Sequence, residues 1–522
     1  MNSIKDVLDK PTLLSIALIS LVASLLTLSI PIAAQTLINL IAFGKLLQPV
    51  VTLSFIVLIL MLALGALNIW QTIILEVIQQ KLMVKISLNL TKQFTNLSLE
   101  NFSIHNGPEL VNRFFEVVTI NKSLSSLLMY GVNLGLQLFF GLLLLLFYHP
   151  LFLIFDGFII LSILLIVFIP YRKGLASAKE ECAQKHQVGS WLEELLTNRF
   201  LFRFSKCSHY ATFQSDKRLV SFLHIRNTHF RQLIKHQIGF YVLSALSSCL
   251  LLGLGGYLVI KNQLSLGQLV AAEIVLGALI YAFKRFGVLL ENYYDLIASE
   301  SKIDTVLNLS VEEIKTDLNA LFLPMKTIEI KFPNQMLATA ALEKPLFIYS
   351  QDAESCKTFS ESFLGFGKKY SMDILVNRSL CNEAHRAALR QFSLLLQKPE
   401  CFAGSIYDNL VLNHKNTPLK IIIEHLKYFG LSEKIMQQPQ GLKTIIYDWQ
   451  SEFTELELIA LMIIRAVLLQ PQLIIIDRMF DGLEKEKSEL FIAPLLNLKN
   501  TILIFVTQNQ EFKKMTNHVG LL

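Results

Sequence analysis

The chain has 522 residues, too many for one ordinary domain, and a formal net charge of +6, modest for that length. Hydrophobic residues make up 53% against 17% charged, and mean hydropathy is +0.49, which argues against an ordinary soluble protein and for membrane spans. The small positive excess suits loops at a membrane surface rather than nucleic acid. Cys182, Cys207, Cys249, Cys356, Cys381 and Cys401 are widely scattered with no CxxC pair. Neither a disulfide framework nor a metal motif is expected, and a reducing compartment fits.

Apolar cores lie near Leu13–Ile41, Leu53–Ile74, Leu127–Leu146, Leu151–Ile169, Tyr241–Ile260 and Leu269–Leu290. Each is near or above the roughly 18–20 residues needed to cross a bilayer as a helix. The first is too long for a signal-peptide core, and Pro31 within it predicts a kinked first span. The segment Gln79–Lys122 carries Lys81, Lys85, Lys92, Arg113 and Lys122, and Arg172–Lys235 carries a dozen Lys and Arg. The opposite connections hold only Lys45 and Lys261, besides a His149-Pro150 turn. This bias predicts both termini and both long loops in the cytoplasm. With short outer connections and long inner ones, the second to fifth helices are expected to extend beyond the membrane on the inner side. Asn68, Gln71, Asn133 and Gln137 are polar positions expected to join helices more than to bind substrate. No ionisable residue stands out at mid-membrane depth, so a gradient-driven transporter finds no support.

A charged amphipathic stretch, Tyr293–Glu313, reads as a helical linker. From Lys326 onward β-rich runs such as TIEIKF (Thr327–Phe332), PLFIYS (Pro345–Ser350) and LIIIDR (Leu473–Arg478) alternate with helical segments, predicting an α/β core. The expected division is residues 1–300 as a six-span domain, 301–325 as linker and 326–522 as the α/β domain.

LLLQKPECFAGSIYDNL (394–410) and RAVLLQPQLIIIDRMFDGLE (465–484) resemble the glutamine loop and the Walker B passage of an ATP-binding cassette. NFSIHNGPELVNRF (Asn101–Phe114) and GYLVIKNQLSLGQLVAAEIVL (Gly256–Leu276) resemble the turn beyond the second span and the turn between the last two spans of ABC exporters. The chain is therefore similar to an exporter-type ABC half-transporter. The resemblance implies a six-helix ABC exporter-type membrane domain followed by an α/β ABC ATPase-like domain, degenerate and somewhat shortened.

It also implies a role for each altered position. A phosphate loop needs glycines for close backbone approach, with Lys and Ser/Thr behind them. At the matching stretch Lys357 and Thr358 remain, but Gln351 and Cys356 replace the glycines, and Asp352 and Glu354 place carboxylates where phosphates would lie. Asp477 keeps the magnesium-orienting position, whereas Arg478 stands where a catalytic glutamate is expected and cannot act as a base near neutral pH. Gln508 replaces the histidine after the last core strand, and Phe332 takes the place of the adenine-stacking aromatic. In the signature segment Thr454 keeps a hydroxyl, while Glu455, Leu456 and Glu457 replace the glycines and glutamine. Gln397 and Phe402–Ile406 persist, and Asp481-Gly-Leu-Glu484 keeps part of the dimer-interface loop.

The implied function is a catalytically degenerate subunit of an ABC-type exporter, with half of a membrane pathway and a non-hydrolytic cassette. Lys357, Thr358, Gln397, Asp477 and Phe332 form a vestigial nucleotide site, with no catalytic residue, no metal site, and ATP and magnesium weak at best. Expected partners are membrane lipid and a second half-transporter, a heterodimer preferred over a homodimer, with the exported substrate unspecified. No peptidase segment precedes the first span, so peptide maturation is not expected. The expected location is a bacterial inner membrane. The alternative is an ATP-independent dimeric membrane scaffold or regulatory subunit.

Overall fold

The computed structural model describes residues 8–43, 47–98, 107–204, 207–311, 324–332, 337–366, 371–412, 417–509 and 518–520. By internal contacts the chain divides into two compact units, the first ending at Val311.

Among the described residues the first unit holds six helices long and apolar enough to cross a membrane: Lys10–Leu40, Gln48–Thr95, Glu109–Tyr148, Phe152–Thr197, Cys207–Ile260 and Leu266–Leu307. The first is interrupted at Leu28, shortly before Pro31, into Lys10–Thr27 and Ser29–Phe43. The second, fourth and fifth run for 48, 46 and 54 residues, beyond the roughly 20 that the hydrocarbon requires. Residues 101–106 of the exporter-like turn lie outside the described residues; Gly107–Asn112 of that turn is helical. The sixth span starts from a capping box in which Ser265 and Gln268 each bond the other's backbone N–H.

The linker expectation needs correction. Tyr293–Leu307 is not a separate element but the end of the sixth helix, which runs unbroken from Leu266 to Leu307. No Gly or Pro occurs between Val288 and Leu323, so nothing local ends the helix when the apolar run does. Residues 312–323 of the expected linker lie outside the described residues.

The sixth helix is the hub of this unit, and small residues bring its neighbours close. A Cβ added to Gly141 of the third span would meet Leu279, one on Gly174 of the fourth would lie 2.8 Å from the Tyr294 ring, and one on Gly255 of the fifth would strike Leu269. Gly267 of the sixth helix abuts Asn39 of the first in the same way. Tyr294 is fully buried, and its hydroxyl lies 3.1 Å from Nε2 of His236. Because His236 Nδ1 faces the Ile166 carbonyl at 3.0 Å, Nδ1 donates and Nε2 accepts from the tyrosine. Of the polar span residues, Gln71 donates to Ser20 at 3.1 Å and accepts from Asn133 at 3.2 Å, tying the first three spans together. Asp156, buried within the fourth span with one carboxylate oxygen lacking a hydrogen bond, is an intramembrane ionisable group that the sequence reading passed over.

Among its described residues the second unit holds two main sheets and a two-stranded antiparallel pair, Gly404–Ser405 with Ile445–Ile446. Its strands are β1 (Thr327–Lys331), β2 (Leu337–Ala341), β3 (Leu346–Tyr349), β4 (Asp373–Val376), β5 (Ser379–Cys381), β6 (Ser393–Leu396), β7 (Gly404–Ser405), β8 (Ile445–Ile446), β9 (Leu473–Asp477), β10 (Ile502–Thr507) and β11 (His518–Gly520). An antiparallel sheet has the order β2-β1-β4-β5, and a parallel sheet the order β11-β3-β10-β9-β6. Every residue of β3, β9 and β10 is buried. Strands covered on both faces need continuous apolar sequence, as LIIID and ILIFVT supply. The C-terminal ends of β3, β9 and β10 therefore present Ser350, Arg478 and Gln508 along one edge of the parallel sheet.

Candidate functional site

Parallel strands release their chains at the C-terminal edge, where ligands of open α/β sheets bind. From β3 the backbone passes through Ser350 and Gln351 to Asp352, which caps the helix Ala353–Phe363. The Asp352 carboxylate accepts hydrogen bonds from the N–H of Glu354 at 3.2 Å, the N–H of Ser355 at 2.9 Å and the Ser355 hydroxyl at 2.7 Å. These bonds, the Ser355 hydroxyl foremost and then the two N–H groups, hold the carboxyl below its ordinary range. A side-chain anion thus sits on the helix N-terminus, where an external anion would find its donors.

The neighbouring positions point elsewhere. Cys356 is fully buried, and burial pushes its thiol up to about 11, leaving a packing group rather than a nucleophile. The Lys357 ammonium lies 3.7 Å from Glu361, one turn along its own helix. Thr358 is half-buried on the same helix. Phe332 is buried and stacked on Phe359 with ring centroids 6.2 Å apart. Its expected role as a stacking platform is corrected here: the ring belongs to the core between the sheets.

Asp477 ends β9 almost fully buried. One carboxylate oxygen accepts from Gln397 Nε2 at 2.8 Å and the other from Arg478 Nε at 3.0 Å. Arg478 has a φ of +56°, a left-handed conformation uncommon outside glycine, and its N–H bonds the Val506 carbonyl at 2.8 Å. Gln508 donates from Nε2 to the Gln351 carbonyl at 2.9 Å, while its N–H reaches Asp481 at 2.8 Å. The Thr507 hydroxyl donates to the other oxygen of Asp481. The fold therefore gathers Gln397, Asp477 and Arg478 into one cluster, and Gln351, Gln508 and Asp481 into another.

The signature-like segment is a self-contained cap. Thr454 and Glu457 form a capping box at the start of the helix Glu455–Leu469, and the Glu457 carboxylate also accepts from Lys434 at 2.7 Å. Burial alone would raise this carboxyl, but Lys434 and the N–H and hydroxyl of Thr454 outweigh it and hold it below the ordinary range. Glu455 is exposed in the first turn.

The segment after Gln397 is held by a network that the sequence reading missed in part. Asn409, 2% exposed, accepts from the Phe402 N–H at 3.0 Å and donates to the Phe402 and Ser405 carbonyls. Arg465 donates to the Asn409 carbonyl at 2.6 Å and the Glu400 carbonyl at 2.9 Å, and Trp449 Nε1 bonds the Phe402 carbonyl at 2.9 Å. An arginine inside an otherwise apolar helix (LIALMIIRAVLL) was the available signal, since a buried charge needs several acceptors.

Residues 13–283 match the family described as ABC transporter transmembrane region. The chain is 22% identical over 469 residues to the Lactococcin-G-processing and transport ATP-binding protein LagD of Lactococcus lactis subsp. lactis, covering 86% of this chain and 66% of that protein. It is 22% identical over 385 residues to the leukotoxin translocation ATP-binding protein LktB of Mannheimia haemolytica, covering 66% and 52%. The chain thus spans between half and two thirds of the length of these relatives. A bacterial Atm1-family ABC exporter with ATP bound shares the fold with a TM-score of 0.83 at 13% identity, covering 98% of this chain and 93% of that one. With six candidate spans and the family's transmembrane region over more than half its length, the chain belongs to the ABC transporter family as a multi-pass, exporter-type half-transporter.

Proposed function

We propose that this chain is the non-hydrolytic half of an ABC exporter, contributing membrane helices and a structurally retained cassette to a heterodimer whose partner supplies ATP turnover. The observation that carries the reading is Asp352, whose carboxylate takes the helix N-terminal donors that would otherwise meet a phosphate. The residues present do not fit a tightly held magnesium nucleotide. Both oxygens of Asp477 are already bonded, Lys357 is turned to Glu361 and Phe332 is buried. Arg478 cannot accept a proton near neutral pH, and loss of a general base alone costs about two to four orders of magnitude in rate.

The proposed setting is a bacterial inner membrane with the basic loops and both termini in the cytoplasm, following the distribution of Lys and Arg. The relatives' names concern lactococcin-G processing and transport and leukotoxin translocation, so toxin-like cargo is the first class to test.

The deciding experiment is purification of the tagged chain from its native membrane, with ATPase measured before and after a stringent wash that strips co-purifying subunits. Turnover that leaves with a second ABC subunit supports the proposal. Turnover near one per second in the isolated chain, abolished by Lys357→Ala, overturns it. No ATPase in either fraction and no second ABC subunit favours an ATP-independent scaffold instead.

A further inference from the structure

Scattered spacing hides a cluster that the fold assembles in the first unit. Glu116, Cys182 and His186 are all buried, and one ligand atom from each lies within 4.8 Å of the others. Cys182 and His186 are one turn apart on the fourth helix and so share a face; Glu116 comes from the start of the third. Nε2 of His186 is 3.0 Å from a Glu116 oxygen, yet it makes no aligned hydrogen bond although the ring is 9% exposed. A buried imidazole nitrogen that meets a carboxylate at 3.0 Å without an aligned hydrogen bond, and lies close to a thiol, has its lone pair directed among potential metal ligands.

We propose that Glu116, Cys182 and His186 bind one divalent metal ion of the zinc class. Donor chemistry selects the ion: thiolate and imidazole suit zinc and its spectroscopic substitutes, whereas magnesium and calcium prefer oxygen ligands throughout. Ligand distances of about 2.0–2.3 Å place tetrahedral donors roughly 3.3–3.8 Å apart, so only small side-chain adjustments are needed. Charge balances as well. On binding, the Cys182 thiol loses its proton to solvent and the new metal–sulfur bond replaces S–H; thiolate and carboxylate together neutralise the dication.

The surroundings supply what three ligands lack. His186 also lines a polar cavity of about 350 Å³ shared with Glu109, Glu194, Arg113, Arg218 and Lys302, and a water from it is the proposed fourth ligand. Ser299 of the sixth helix donates to the second Glu116 oxygen at 2.6 Å, a supporting bond that orients a ligand. Lys185 competes, with its ammonium 2.5 Å from Glu116 and its side chain 52% exposed, so it can withdraw to solvent when a metal arrives.

The test uses the full chain in detergent, stripped by a chelator and titrated with Co²⁺. The expected result is one cobalt per chain with tetrahedral visible bands and a near-ultraviolet thiolate-to-cobalt transition, both displaced by Zn²⁺. Cys182→Ser should remove the thiolate transition. His186→Gln keeps the thiol and should weaken binding at least tenfold, which keeps the test decisive if Cys182→Ser fails to fold. Ser299→Ala should weaken it about tenfold, and Lys185→Gln should tighten it. An octahedral spectrum alone in the wild type, a thiolate transition that survives Cys182→Ser, or unchanged affinity in His186→Gln overturns the proposal.

Discussion

Two turns in the second unit are held in shape by different means. At the β3-to-helix turn, Asp352 binds the N–H groups of Glu354 and Ser355, so the chain supplies its own anion. After Gln397, Asn409 and Arg465 bind backbone carbonyls and an N–H of the same segment. The first turn is closed by a single carboxylate, and the second by an amide, a guanidinium and an indole acting together.

The difference is sharpest in the cost of removing one side chain. Asn409→Ala strips several bonds from a residue 2% exposed and should destabilise the segment by roughly 3 kcal/mol. Hydrogen exchange of the 404–411 amides should accelerate accordingly; exchange within twofold of wild type would show that Arg465 and Trp449 brace the turn without it. At the other turn, combining Gln351→Gly, Asp352→Ala and Cys356→Gly should raise affinity for ATP at least tenfold while lowering the protection of the Glu354 and Ser355 amides. Calorimetry and exchange on one sample test both signs together. Unchanged affinity would break the view that Asp352 stands in for a phosphate.

A smaller effect concerns pH. Glu457, held below its ordinary range by Lys434 and Thr454 against the opposing effect of burial, contributes stability that is fully present above the unfolded carboxyl value of about 4.3. That contribution is lost as pH falls through the lower folded value. Thermal midpoints of wild type and Glu457→Gln should therefore differ most near neutrality and converge in acid. A gap that stays constant with pH would place the effect in packing.

Much of the architecture was legible because apolar runs carry it. The six spans, the break near Pro31 and the all-buried strands β9 and β10 follow from run length and composition. What escaped depended on direction rather than residue type. An aromatic before a phosphate-loop strand reads equally as platform or core, and Phe332 lies in the core. The carboxylate of Asp352 reads from sequence as repulsive to phosphate; only its hydrogen bonds reveal it as the cap. The left-handed φ of Arg478 leaves no trace in composition. Metal spacing along the chain suggested nothing, because Glu116 and Cys182 are distant in sequence and meet only when the third and fourth helices pack.

The glycine contacts around the sixth helix carry a mechanical consequence. Leu279, Tyr294 and Leu269 seat against Gly141, Gly174 and Gly255 like teeth in slots, and close-packed interiors offer no continuous slide between such seats. Advancing the helix past a neighbour would move these side chains off their seats, and the next equivalent seat lies about one turn of 5.4 Å away. Small displacements of the sixth helix are therefore expected to carry the glycine-bearing third, fourth and fifth helices along with it.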